Sequence, residues 1–164
     1  MRSILSALFT ICVLFTVSGS AQTQAKSTSS SPQKPFVEYL NLESGQNYPF
    51  SDAVRVGDWL ILSGRIGTDA SGKLVAGGID GETKQTMERI GGVLKANGAS
   101  FDDVVKCTVM LTDMKEWPAM NAIYRTYFKP GRMPARSAFG ASGLALGARV
   151  EIECWAVLTK NQKR

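Results

Sequence analysis

Residues 150–158 read V-E-I-E-C-W-A-V-L, with Val150, Ile152, Cys154 and Ala156 at one phase and Glu151, Glu153, Trp155 and Val157 at the other. A repeat of two is the side-chain period of a β-strand, and one uniformly apolar phase requires a sheet covered on that side. Residues 104–112 carry the same pattern, Val105, Cys107, Val109 and Leu111 alternating with Lys106, Thr108, Met110 and Thr112. Cys107 therefore reads as inert core rather than as a nucleophile. The second face of 150–158 holds two carboxylates beside Trp155 and Val157, so burial against another element or subunit is expected there. Such burial raises a carboxyl pKa and suits a Glu to proton transfer near neutrality.

Residues 79–97 form the clearest helix: Ile79, Thr83, Met87, Ile90 and Leu94 recur at three- and four-residue steps, and Gly98 follows as a stop. The interior Gly91 and Gly92 each cost about 1 kcal/mol of helix propensity, which predicts close packing against a sheet. Residues 50–56 and 58–63 read as strands joined through Gly57, with Trp59, Ile61 and Ser63 on one face and Leu60 and Leu62 on the other. A second helix fits 117–128. Pro118 is tolerated in its first turn, Met120, Ile123, Tyr124 and Tyr127 supply its apolar face, and Asn121 sits at the polar edge. The order strand, strand, helix, strand, helix, strand, strand predicts an α+β sandwich, two helices on one side of a mainly antiparallel sheet. The bare face then needs a partner, which a homo-oligomer supplies.

At 164 residues, 44% hydrophobic and 20% charged, the chain has room for one domain with a core. Histidine is absent, which removes Ser-His and Cys-His nucleophiles, imidazole acid–base chemistry and His-based metal sites. Cys12, Cys107 and Cys154 lack metal-ligand spacing, so no metal is expected. The formal charge of +5 is scattered, with no basic stripe interleaved with aromatics, so nucleic acid is not an expected partner. Residues 1–21 have the layout of a secretory signal peptide: Arg2, an apolar run through Val17, and a small-residue exit at Ser18-Gly19-Ser20-Ala21. Export to a periplasm or secretion follows, with no membrane attachment after cleavage, and Cys107 and Cys154 would meet an oxidising compartment. Residues 22–35 read as a disordered linker, 36–160 as the domain and 161–164 as a basic tail.

The chemistry concentrates between Pro134 and Cys154. P-A-R-S-A-F and A-R-V-E-I-E-C read as two strands joined by a glycine-broken loop, and a hairpin centred between Gly143 and Leu144 sets Arg136 opposite Glu151. A guanidinium grips a carboxylate through two parallel hydrogen bonds, and a nearby Glu moves protons to and from water or a substrate nitrogen. A cross-strand ion pair on a solvated face gives the same pattern. Ser63, at a strand exit ending in Ser-Gly, is a candidate ligand contact, and equally a hydroxyl capping local backbone groups.

Several short stretches in this order resemble the reactive intermediate (imine) deaminases, the RidA or YjgF family. They are P-F-S-D-A-V at 49–54, V-G-D at 56–58, L-S-G-R-I at 62–66, N-G-A at 97–99 and Thr108-Val109 with Asp113. They continue with Met120-Asn121-Ala122 with Tyr124 and Phe128, P-A-R-S at 134–137, and V-E-I-E at 150–153. The resemblance spans residues 49–158 and implies a chorismate-mutase-like α+β fold. It further implies a homotrimer with sites in the clefts between subunits, no cofactor, and hydrolysis of 2-imino acids or their enamine tautomers to 2-keto acids and ammonia. Carried over by position, Arg136 would hold the substrate carboxylate and Glu151 would place the water and protonate the leaving nitrogen. Ser63, Asn121 and Phe50 would line the pocket. The sequence departs from the family at Phe50, where an aromatic hydroxyl is usual, at Arg65 in place of glutamine, and at Ala138 in place of cysteine. Two other functions remain open: a non-catalytic, chaperone-like module binding small carboxylates, and RNA cleavage or binding, which has also been described for the family.

Overall fold

In the computed structural model, which describes residues 35–42 and 48–158, the segments of period two become strands of one sheet. The expected signal peptide, the linker through residue 34 and the tail at 161–164 lie outside the described residues. The strands are β1 (Val37–Leu40), β2 (Ala53–Val56), β3 (Trp59–Leu62), β4 (Arg65–Ile66), β5 (Val104–Leu111), β6 (Ala135–Gly140) and β7 (Val150–Val157). The sheet order is β1-β2-β3-β7-β5-β6, with β4 also paired to β7. Strands β3 and β4 follow one another along the same edge of β7, Ile61 opposite Trp155 and Ile66 opposite Glu151. Every pairing is antiparallel except β5 with β6.

Helices α1 (Gly78–Ala96) and α2 (Trp117–Tyr124) cover one face of this sheet. Their buried side chains, Met87, Ile90 and Leu94 from α1 and Met120 and Tyr124 from α2, meet Leu60, Leu62, Cys107, Val109, Leu111, Val150 and Ile152. Each large apolar side chain buried in this way contributes roughly 1.5–3 kcal/mol. The fold is the expected α+β arrangement of a mixed sheet and two helices. Helix α2 ends sooner than expected, passing at Arg125 into a tight 3-10 turn that runs to Tyr127. Among the described residues no helix is long and apolar enough to cross a membrane.

Three local expectations change, and the pairing of the two domain cysteines, which the sequence left open, is given by the structure. A bulge between Val104 and Lys106 rotates the start of β5, so Val104 is buried and Val105 is 40% exposed. A Cβ at Gly91 would lie 3.2 Å from the Phe101 ring, whereas at Gly92 it would meet nothing within 4 Å, so only the first is a close-packing position. Cys107 and Cys154 stand opposite one another on β5 and β7, fully buried and joined as a disulfide with Cα atoms 4.2 Å apart.

The third change matters for function. Strands β6 and β7 do not form a hairpin: β5 lies between them, paired parallel to β6 and antiparallel to β7. Parallel neighbours need a crossover connection, and α2 supplies it between β5 and β6. The return from β6 to β7 is a wide turn, with Leu146 at φ 58° and Gly147 at φ 74°. It is tied down where the Arg149 backbone N–H donates to Glu82 of α1 at 2.8 Å and the Arg149 guanidinium pairs with Glu116.

Candidate functional site: two half-sites on opposite faces of the sheet

In the β5 register Arg136 stands beside Cys107, a core residue, and Glu151 stands beside Met110, on the other face. Arg136 therefore projects to the helix side and Glu151 to the bare side. Within one chain the two groups do not face each other, contrary to the hairpin expectation. The reason is the inserted strand, which shifts both register and phase.

Arg136 sits on the edge strand with its guanidinium donating to Asn121 Oδ1 at 2.7 Å. Its Cζ lies 4.8 Å from the centroid of the Tyr124 ring and 5.3 Å from that of Trp117, contacts worth about 0.5–2 kcal/mol each. Trp117, Asn121 and Tyr124 come together because positions i, i+4 and i+7 share one face of a helix. All three partners are neutral. Burial pushes the Tyr124 phenol up to about 12, against an opposing pull from Arg136, so it stays protonated and does not neutralise the cation. Next to Arg136 is a cavity of about 300 Å³ lined by Asn121, Tyr124, Arg125, Met133, Pro134 and Arg136. This half-site is a positioned guanidinium beside a small hollow, with no carboxylate paired to it among the described residues.

The second half-site is on the bare face. The Glu151 carboxylate packs onto Gly64, so closely that a Cβ there would lie 2.0 Å from Glu151 Oε1. Ser63 precedes Gly64; its hydroxyl donates to the Ser51 carbonyl at 2.6 Å, leaving only acceptor lone pairs for a ligand. Phe50 is half exposed and stacks on Tyr48, centroids 5.1 Å apart. Arg65, in place of the family glutamine, turns into the core and pairs with buried Asp52. Burial, with the neighbouring charge of Glu153 adding to it, lifts the Glu151 carboxyl above its ordinary 4.5. Among the described residues no three carboxylates or cysteines converge to hold a metal ion.

The raised Glu151 pKa makes a stability prediction. A carboxyl that binds its proton more tightly in the folded state stabilises the fold below its unfolded pKa and loses that contribution as pH rises through the folded value. The ionised group is thus a cost at neutral pH. Glu151→Gln is expected to raise the melting temperature at pH 7, and the gain is expected to vanish below pH 4.5. Paired thermal melts at the two pH values check it; an equal shift at both, or none at pH 7, contradicts the assignment.

The sequence matches the family described as Endoribonuclease L-PSP over residues 43–158. The chain belongs to that family. A mouse member named 2-iminobutanoate/2-iminopropanoate deaminase is 47% identical over 110 residues, covering 66% of this chain and 81% of the mouse protein. The chloroplastic Reactive Intermediate Deaminase A of Arabidopsis thaliana is 40% identical over 111 residues, 67% of this chain and 59% of the plant protein. Among solved structures of the Rid family, YyfA from Yersinia pestis superposes with a TM-score of 0.70 at 33% identity, covering 74% of this chain and 99% of its own.

Of the residues expected from sequence, the fold joins Arg136 to Asn121 and places Ser63 next to the glycine under Glu151, but it keeps these two groups apart. Sequence reasoning missed Trp117, Tyr124 and Gly64 as site residues. The 117-121-124 helical spacing was the available signal for the first two. Nothing in the sequence foretold the Gly64 contact with Glu151.

Proposed function

We propose that this member of the L-PSP family hydrolyses 2-imino acids and their enamine tautomers to 2-keto acids and ammonia. The sites would lie in clefts where the Arg136 half-site of one copy meets the Glu151 half-site of the next, in a homotrimer. One observation carries the reading: among the described residues Arg136 is held by neutral groups only, which suits it to a ligand carboxylate. The deaminase names of relatives at 40–47% identity support it. The bare sheet face, where Tyr39, Trp59, Phe139 and Trp155 are each at least 40% exposed, supports burial against another copy.

Arg136 clamps the carboxylate through its planar fork and so fixes the C=N carbon. Glu151 from the neighbouring copy accepts a proton from water as the oxygen adds to that carbon. It gives that proton to nitrogen, making the amine of a tetrahedral adduct, then carries the adduct's hydroxyl proton to the same nitrogen as the C–N bond breaks, so that ammonia leaves and the carbonyl forms. A carboxyl with a raised pKa suits both directions. Ser63 offers an acceptor, Asn121 still has its amide N–H groups, and Phe50 presents an apolar wall. No cofactor enters the scheme. Residues 1–21 make this an exported protein, periplasmic or secreted, in the same reading.

The test is keto-acid release from 2-iminobutanoate generated in situ by an amino-acid oxidase. Release is expected to rise in proportion to added protein. Thermal stabilisation by 2-oxobutanoate without any acceleration would replace this reading with a carboxylate-binding module. The family description names an endoribonuclease; cleavage of RNA that persists at high salt in nuclease-free preparations would favour that activity instead.

A further inference from the structure

The chain from Arg125 to Arg136 holds four basic residues, and three have fixed partners. Lys129 pairs with Asp102, Arg132 donates to the Asp102 carbonyl at 3.4 Å, and Arg136 is held by Asn121. The Arg125 guanidinium has neither a hydrogen bond nor an ion pair among the described residues, yet Arg125 lines the same cavity as Arg136. Among the described residues no carboxylate lines that cavity, and Tyr124, whose phenol stays protonated, supplies no negative charge. The exposed Arg125 and the half-buried Arg136 thus line one small hollow, with no described carboxylate beside Arg125 to balance it. Two cations beside one hollow attract an anion, and they are matched best by two anionic groups on one molecule. The volume of about 300 Å³ is at the small end for ligand pockets, which favours a compact dianion over a bulky one.

We infer that Arg125 is a specificity-determining residue and that the preferred substrates are 2-imino acids bearing a second carboxylate, the imines of acidic amino acids. The inference rests on the deaminase reading of the same site. Arg136 takes the carboxylate next to the C=N carbon and Arg125 takes the distal one. The chemistry is unchanged: the water oxygen adds to the imine carbon, nitrogen takes both water protons in turn, the C–N bond breaks with loss of ammonia, and the distal carboxylate takes no part. Its contribution is binding, so it appears mainly in KM.

The test compares two imines made in situ: 2-iminosuccinate from aspartate with an aspartate oxidase, and 2-iminobutanoate from 2-aminobutanoate with an amino-acid oxidase. The wild-type protein is expected to favour the dicarboxylic imine in kcat/KM. Arg125→Gln is expected to lower that selectivity ratio about tenfold, the worth of one charge-assisted hydrogen-bonded contact, with the change in KM rather than kcat. Arg125→Lys, which keeps charge without the fork, should recover part of the ratio. Calorimetry with 2-oxoglutarate and 2-oxobutanoate gives a readout independent of turnover and should show the same ratio change. An unchanged ratio in Arg125→Gln overturns the inference and leaves the deaminase reading intact. Failure of the wild-type protein to accelerate either imine overturns the deaminase reading itself.

Discussion

Arg136→Ala and Glu151→Gln, each assayed alone, are expected to lose at least about a hundredfold in imine turnover, since misplacing a reacting centre by an ångström costs that much. Mixed and assembled together, the two inactive variants are expected to regain about one quarter of wild-type activity. The fraction follows from the faces these residues occupy. A strand separates them in register and they project to opposite sides of the sheet, so one chain cannot offer both to one small molecule. If each site takes Arg136 from one copy and Glu151 from the next, a random equal mixture makes roughly half the arginines intact and pairs half of those with an intact glutamate, whatever the ring size. Were both groups drawn from a single chain, every mixed site would lack one of them and mixing would restore nothing. Arg136→Lys separates charge from geometry: an ammonium keeps the attraction but loses the planar fork, so it should fall between wild type and the alanine variant. Full activity in Arg136→Ala would discard the carboxylate clamp; inactive parents with no recovery on mixing would discard the shared cleft.

Why the sequence showed both residues but not their separation is a matter of what local pattern encodes. Alternation in 104–112 and 150–158 reports which face of each strand is buried, and Leu60, Leu62, Val109, Leu111, Val150 and Ile152 are all buried where that pattern puts them. The choice of neighbour leaves no such mark. Strand β6 lies at a sheet edge, its residues are exposed or half-buried, and its alternation fits either a hairpin with β7 or a parallel seat beside β5. The glycine-rich 140–147 segment read as the loop of a hairpin, whereas it is a wide return anchored through Arg149 to Glu82 and Glu116. Strand β1 escaped notice because its four residues are exposed or half-buried, and β4 because two residues are too few to show a period. At Val105 the alternation itself misled, since a bulge adds a residue without altering composition. Arg136 and Glu151 stood out as charges in apolar strands; Tyr124 did not, because a tyrosine on an apolar helix face reads equally well as core.

Two glycines three residues apart should separate function from folding. Gly64→Ala is expected to cut turnover at least about tenfold with little change in stability, and Gly67→Ala to destabilise the fold by about 1–3 kcal/mol, the usual cost of forcing atoms into a packed interior. At Gly64 the added carbon would lie 2.0 Å from Glu151 Oε1, 2.9 Å from its Cδ and 3.1 Å from its Cγ. All three belong to a flexible side chain on the bare face, so the carboxylate swings aside and the backbone keeps its place. If Glu151 carries the proton as proposed, what is lost is its position, and the loss falls on kcat. At Gly67 the carbon would lie 2.6 Å from both the Cα and the carbonyl oxygen of Glu82, backbone atoms of α1 that cannot rotate away. Relief there means moving the helix, and Glu82 is also the residue that holds the Arg149 backbone N–H. Denaturant melts and steady-state kinetics on the same two preparations decide the matter. If Gly64→Ala keeps full kcat, the carboxylate over that glycine is not the group that moves the proton, and the catalytic half of the site must be sought elsewhere on the bare face.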